Sequence, residues 1–106
     1  MKRVVFPLAA ALPGVLVMAA ALAGSPPTAR DLSTYFVPLR HYTAQVLAGR
    51  SAPFWNPQVG CGEPYFANPQ TGIFYPLSWC ATFVSADRAV GLEVGIHLAL
   101  LGAGCC

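Results

Sequence analysis

Residues 4–24, VVFPLAAALPGVLVMAAALAG, carry no charged side chain. At 1.5 Å of rise per residue the stretch makes a helix of about 31 Å, the thickness of a bilayer's hydrocarbon core. Pro7 falls in the first turn, where its missing N–H is harmless. Pro13-Gly14 in the middle predicts a kink, which membrane helices tolerate better than soluble ones. Lys2 and Arg3 precede the run, so the positive-inside rule places the N-terminus in the cytoplasm. The stretch also admits a second reading. Ala21-Leu22-Ala23 is a small-residue cleavage pattern, and a secretory signal would be cut after Ala23. The run is long for a signal's apolar segment and its basic region is short, which favours a transmembrane helix or uncleaved signal anchor over residues 1–28. Both readings put everything after Ser25 outside the cytoplasm.

Composition agrees with an apolar setting. Of 106 residues, 56% are hydrophobic and 9% charged, against roughly 25% charged in ordinary soluble domains. Mean hydropathy is +0.56. So few charges cannot cover the surface of a small globule, which argues against a free cytosolic enzyme. A net charge of +2 without a basic run excludes a nucleic-acid footprint. High hydrophobicity excludes intrinsic disorder.

Toward the other end, Ala89 to Cys106 is apolar except for Glu93 and His97. It reads as the start of a second transmembrane helix, residues 89–106. The chain stops within it at Gly104-Cys105-Cys106, without a polar flank, the pattern of a truncated product or fragment.

Residues 29–88 form the loop between these segments. Its charges are Arg30, Asp31, Arg40, Arg50, Glu63, Asp87 and Arg88, too small an excess to overturn the orientation set by Lys2 and Arg3. Ser25-Pro26-Pro27 ends the first helix. Leu32, Phe36, Leu39, then Tyr42 with Thr43 and Val46 with Leu47, recur at three- and four-residue steps, which predicts one apolar helical face over Asp31 to Ala48. Pro38 interrupts it. The expectation is a short turn at 31–36, then a helix with Pro38 in its first turn and Gly49 just past its end. From Ser51 to Trp79, five prolines forbid a long helix or a central strand. The same stretch holds Phe54, Trp55, Tyr65, Phe66, Phe74, Tyr75 and Trp79, which predicts an ordered irregular loop packed on the membrane interface. Asn56-Pro57-Gln58-Val59-Gly60 returns twelve residues later as Asn68-Pro69-Gln70-Thr71-Gly72, and Asn-Pro starts turns, so two similar turns are expected.

The stretches Ala52-Pro53-Phe54-Trp55-Asn56-Pro57 and Gly60-Cys61-Gly62-Glu63-Pro64-Tyr65-Phe66-Ala67-Asn68-Pro69-Gln70, continuing through Phe74-Tyr75-Pro76, resemble the first outer loop of the YfhO family. Asp31 with Tyr35-Phe36-Val37-Pro38 upstream, and Leu92 to Gly102 with His97-Leu98 downstream, fit the same pattern. The resemblance covers about residues 28–103. Members are bacterial multi-pass membrane proteins several times longer than this chain and similar to GT-C glycosyltransferases. The resemblance therefore implies a cell-membrane protein whose intact form moves a sugar from a polyprenyl-phosphate carrier to a cell-envelope acceptor such as a teichoic acid. This chain lacks nearly all the family's membrane helices, so the fragment itself is expected to be inactive. Cys61 stands where the family often has an apolar or aromatic residue.

The resemblance makes Asp31 the candidate catalytic residue, because GT-C enzymes place an acid just after the first membrane helix. A carboxylate there could deprotonate an acceptor hydroxyl or hold a divalent cation on the phosphate. The plainer reading is that Asp31 caps the next helix. Arg40 could pair with a phosphate, or stand as a solvated rim charge. Trp55, Asn56, Asn68, Gln70 and Tyr75 could form a sugar platform of stacking rings and amides, or simply hold the loop together. Glu93 and His97, four residues apart, share a helix face. They read either as an intramembrane polar site or as a pair bonded to each other. Cys61 and Cys80 both fall outside the cytoplasm, where a disulfide is permitted. The four cysteines lack zinc spacing, and no cofactor-binding motif is present beyond the divalent cation the intact relative could use.

The sequence thus predicts a mainly α membrane-protein fragment: one transmembrane helix, an extracytoplasmic helix with an irregular loop, and the start of a second span. Its partners would be membrane lipid and, by resemblance, a polyprenyl-phosphate sugar. The alternatives are a small secreted disulfide-containing protein and a non-catalytic membrane assembly subunit.

Overall fold

The computed structural model of the chain describes residues 2–26 and 29–105, with side chains of the first helix from residue 7 onward. Pro27, in the expected helix stop, and Cys106 lie outside the described residues. The architecture is mainly α. Helix α1 spans Lys2–Leu22, α2 spans Val37–Leu47 and α3 spans Ala86–Gly104. The described residues contain no strand, only one antiparallel bridge between Asn56 and Glu63. The molecule is elongated, 54 × 25 × 23 Å.

Helices α1 and α3 pack side by side through small residues. A Cβ on Gly14 would run into the backbone of Gly95 and Ala99, and one on Gly95 would meet the side chain and backbone of Met18. At Gly102 the same atom would strike the carbonyl of Ala10. The contacts Met18–Gly95, Gly14–Ala99 and Ala10–Gly102 descend one helix as they climb the other, so the pair is antiparallel. Close backbone approach through glycine is how helices associate in lipid, where apolar bulk gives no driving force. The bulky side chains of α1 point elsewhere: Leu8 is 68% exposed, and Leu12, Val15, Leu16 and Leu22 are each about half exposed or more. Leu100 and Leu101 of α3 are equally bare. Among the described residues, no helix is long and apolar enough to cross a membrane. Asp87, Arg88 and Glu93 interrupt the apolar run of α3.

The helix ahead of α2 begins at Arg30 and passes through a π segment, Leu32–Phe36. Pro38 is the cause. It has no N–H for the carbonyl of Thr34, and its ring would clash with that carbonyl in a regular turn. A widened turn avoids the clash, with the Val37 N–H bonding back to the Leu32 carbonyl. Thr34 Oγ1 also donates to the Arg30 carbonyl at 2.6 Å, loosening the same turn. Helix α2 then runs to Leu47, and Gly49 follows it at φ +70°.

Helix α2 runs antiparallel to α3. Its last turns, at Ala44, Gln45 and Ala48, share a cleft with Ser85 and Ala86 at the start of α3. Leu32 and Phe36, before α2, share another with Val94 and Leu98 further along α3.

The segment from Ser51 to Val84 wraps these helices as turns. The two Asn-Pro-Gln copies fold alike. Asn56 Oδ1 accepts from the Gln58 N–H and Asn68 Oδ1 from the Gln70 N–H, each at 2.9 Å. Each copy closes on a left-handed glycine, Gly60 at φ +56° and Gly72 at φ +62°. The main-chain bonds Asn56–Glu63 and Tyr65–Phe54 join the first copy to the strand-like stretch after it. A seven-residue 3₁₀ turn, Pro76–Thr82, leads into α3.

Candidate functional site

The centre of the molecule is built on α2, whose Leu39, Arg40, Tyr42 and Thr43 are buried. Leu39 and Tyr42 pack with Tyr65 into a small apolar core flanked by Tyr35, Val46 and Ile73. Tyr42 and Tyr65 meet edge to face at 5.0 Å. The Tyr42 hydroxyl reaches the carbonyls of Ala52 and Trp55, pinning the loop to the helix. Tyr65 shares a 2.6 Å hydrogen bond with Thr43, which donates to the Leu39 carbonyl. Burial pushes the Tyr65 hydroxyl above its ordinary pKa of 10.0, and the bond with Thr43 offsets only part of this.

Arg40 is the pivot. Its Nε donates to Glu93 Oε1 at 2.6 Å and its Nη2 to Oε2 at 2.9 Å, a bidentate pair between α2 and α3. Its Nη1 donates to the carbonyls of Thr71, at 2.9 Å, and Gln70, at 3.3 Å. One guanidinium therefore ties together α2, α3 and the second Asn-Pro-Gln turn. Beside it, Gly72 cannot be replaced without strain, because its φ is +62° and a Cβ would collide with Ser78 Oγ. That buried hydroxyl has no hydrogen-bond partner among the described residues.

One turn further along α3, the Tyr75 hydroxyl lies 2.7 Å from His97 Nε2. His97 Nδ1 lies 2.6 Å from the Glu93 carbonyl. A carbonyl only accepts, so Nδ1 carries the proton, and Nε2 accepts from Tyr75 when the ring is neutral. Between this clasp and the π segment lies an apolar groove of about 350 Å³, lined by Leu32, Phe36, Val90, Val94 and Leu98, with Arg40, Glu93 and His97 along one side.

The sequence-predicted residues are distributed as follows. Asp31 is exposed and sits in right-handed helical conformation, with no capping bond and no side-chain partner among the described residues. It is not the cap the plainer reading expects, because the helix already begins at Arg30. Arg40 is buried and fully engaged, so it is neither a rim charge nor free for a phosphate. Asn56 is buried, and its side chain is taken by its own turn. Asn68 is likewise occupied: Oδ1 serves the turn and Nδ2 donates to the Tyr35 hydroxyl at 3.1 Å. The Trp55 indole is half exposed and lies against Gly62, while the Gln70 side chain is exposed. Of the five platform residues, Asn68 and Tyr75 line a common cleft, shared with Phe66 and Phe74.

Two further expectations are corrected. Glu93 and His97 share a face of α3, but their side chains do not pair with each other. Arg40 outcompetes His97 for the carboxylate, and Tyr75 takes the ring. The carboxylate is met by α2 and the ring by the loop. Cys61 and Cys80 are free thiols. Cys61 sits on an exposed turn, whereas Cys80 is half-buried with its Sγ toward the Ala89 carbonyl at 3.8 Å. Burial, then the nearby Glu93 carboxylate, push the Cys80 thiol above its ordinary 9.0. Among the described residues no three His, Cys, Asp or Glu side chains gather in a way that could hold a metal ion.

Thr71 and Ser78, buried around Arg40, carry no signal in the sequence, because a threonine or serine in a turn is commonplace. Thr43 had one in its place beside Tyr42 on the apolar helical face, and Tyr65 had one as part of the aromatic-rich stretch. The bond between them had none. Comparison of the chain with protein-family models, with curated proteins and with solved structures finds no match in any of the three.

Proposed function

We propose that this chain is the N-terminal, membrane-associated part of a YfhO-like protein, whose intact form transfers a sugar from a polyprenyl-phosphate carrier to a cell-envelope acceptor. The observation that carries the membrane half of this reading is the inverted packing of α1 and α3. Their closest approach is made at Gly14, Gly95 and Gly102 against Ala99, Met18 and Ala10, while leucines and a valine of α1 face outward. In water that arrangement leaves the apolar bulk unburied; in lipid it is the favourable one. The glycosyl-transfer half rests on the resemblance of residues 28–103 to the family's first outer loop.

Within this reading the N-terminus is cytoplasmic and residues 29–88 are extracytoplasmic, held as one body by the Arg40 clamp. Asp31 is the free carboxylate at the start of that body. It has the exposure a general base or cation ligand needs, and no structural bond competes for it. The fragment has too few helices to enclose a carrier lipid, so catalysis belongs to the longer protein.

A labelling scan tests the proposal. Single-cysteine variants of the chain, expressed in bacteria, are treated with a membrane-impermeant maleimide. Labelling at position 61 from outside and at position 2 only after permeabilisation supports it. Labelling of position 61 only from the cytoplasmic side, or recovery of the chain in the soluble fraction, overturns it.

A further inference from the structure

The groove beside Arg40 is a binding site with a definable occupant. Val90, Val94 and Leu98 stand one turn apart along α3, a ridge of about 12 Å, and Leu32 and Phe36 form the facing wall. The volume is about 350 Å³, roughly a third of what a helix some 10–12 Å across fills over the same length. Three polar residues border it, and each is already satisfied. Arg40 donates to Glu93 and to two carbonyls, both Glu93 oxygens accept from Arg40, and both His97 nitrogens have partners. An extended peptide would find no groups for its backbone N–H and C=O, and burying those unpaired is costly. An anionic head would find no free cation. What fits is an uncharged, flexible hydrocarbon chain.

The slot also has a source of such chains. Its Leu98 wall lies on the part of α3 where Leu100 and Leu101 are bare, next to the outward leucines of α1. We infer that this groove takes one acyl chain of a bilayer phospholipid, entering from the Leu98 end, with its headgroup outside. This rests on the membrane reading above. A phosphate-headed isoprenoid gains no advantage here, because the groove's one guanidinium is engaged, and phospholipid is the more abundant chain in any bilayer.

The full chain is reconstituted into phosphatidylcholine vesicles containing a fraction of phosphatidylcholine with a diazirine midway along one acyl chain. After illumination, cross-linked peptides are mapped by mass spectrometry. Two sets of adducts are expected: on the outward face of α1, around Leu8–Leu16, and in the groove, at Leu32–Phe36 and Val90–Leu98. Val94→Trp fills the slot and should lower groove adducts about tenfold, as losing two buried methylene contacts would, while α1 adducts persist. Adducts on α1 without groove adducts in the unmodified chain overturn the inference and leave the membrane reading standing. Absence of adducts everywhere overturns both. Groove adducts removed by an equal mole fraction of unlabelled polyprenyl phosphate, but not by unlabelled phosphatidylcholine, overturn the choice of occupant. The map of the unmodified chain decides even if Val94→Trp misfolds.

Discussion

Arg40 grips both carboxylate oxygens of Glu93 across a sequence separation of 53, at 2.6 and 2.9 Å, with side chains only 8% and 12% exposed. Removing one partner strands the other as an unpaired charge. Glu93→Ala or Arg40→Ala should therefore cost about 3–5 kcal/mol in detergent unfolding. The double variant Arg40→Met/Glu93→Leu should recover much of that loss. It will not recover all, because the Gln70 and Thr71 carbonyls also lose their donor. Equal loss in the single and double variants would show that the pair adds nothing of its own.

The glycine contact between α1 and α3 makes a second prediction. Gly14→Leu or Gly95→Leu places a side chain where the partner backbone lies, and overpacking of this kind costs about 1–3 kcal/mol or more. Unfolding in detergent should show that loss in either variant. Leu12→Ala, on the exposed face, should stay within about 0.5 kcal/mol of the parent.

Thiol reactivity should separate the cysteines. Cys61 and Cys105 are exposed, whereas Cys80 is half-buried with its ionisation pushed upward. At pH 8, maleimide should modify Cys80 at least about tenfold more slowly than Cys61, since the thiolate is the nucleophile. Cys80 should gain reactivity only as the pH passes 9.0. Comparable rates at pH 8 would contradict the packing of the 3₁₀ turn against Ala89.

Alkaline stability should report Tyr65. Its folded-state pKa lies above the ordinary 10.0, so the folded form holds its proton where the unfolded chain releases it. The stabilisation is complete below pH 10 and is lost as pH rises through the raised folded value. Tyr65→Phe should lose about 1 kcal/mol at neutral pH with its hydrogen bond. Its stability should then fall less steeply above pH 10.

Asp31 has no structural partner, so Asp31→Asn and Asp31→Ala should both leave the stability of this chain within about 0.5 kcal/mol. In an intact relative, if the residue is catalytic, both changes should lower sugar transfer by about 10²-fold at normal protein level. An Asn variant with normal turnover per molecule would remove Asp31 from the site.

Helix α2 was legible because its information is local: a 3–4 spacing of apolar residues, Pro38 near the start and Gly49 at the end. So were the twin turns, since an Asn side chain bonds its own backbone two residues on. Arg40–Glu93 was not legible. Each residue has an ordinary local explanation, and only the antiparallel packing of α2 on α3 brings them together. The same packing explains why Glu93 and His97, rightly placed on one face, are not each other's partners. The amides of Asn56 and Asn68 look free for a sugar when read along the chain. In three dimensions the turns they initiate use them.

The π segment between Asp31 and Arg40 holds one residue more than a regular helix would need. Deleting any residue of Leu32–Phe36 would let the turn tighten while the helix stayed continuous. The wide turn takes up that extra residue, so everything upstream would keep nearly its direction. Asp31 would still face the same quarter of the molecule, one residue nearer the clamp along the chain. A deletion within the regular turns of α2 has no such slack and would swing everything upstream by about 100° about the helix axis. The direction in which this carboxylate looks is thus insulated from a change of chain length over these five positions and sensitive to one in the turns that follow.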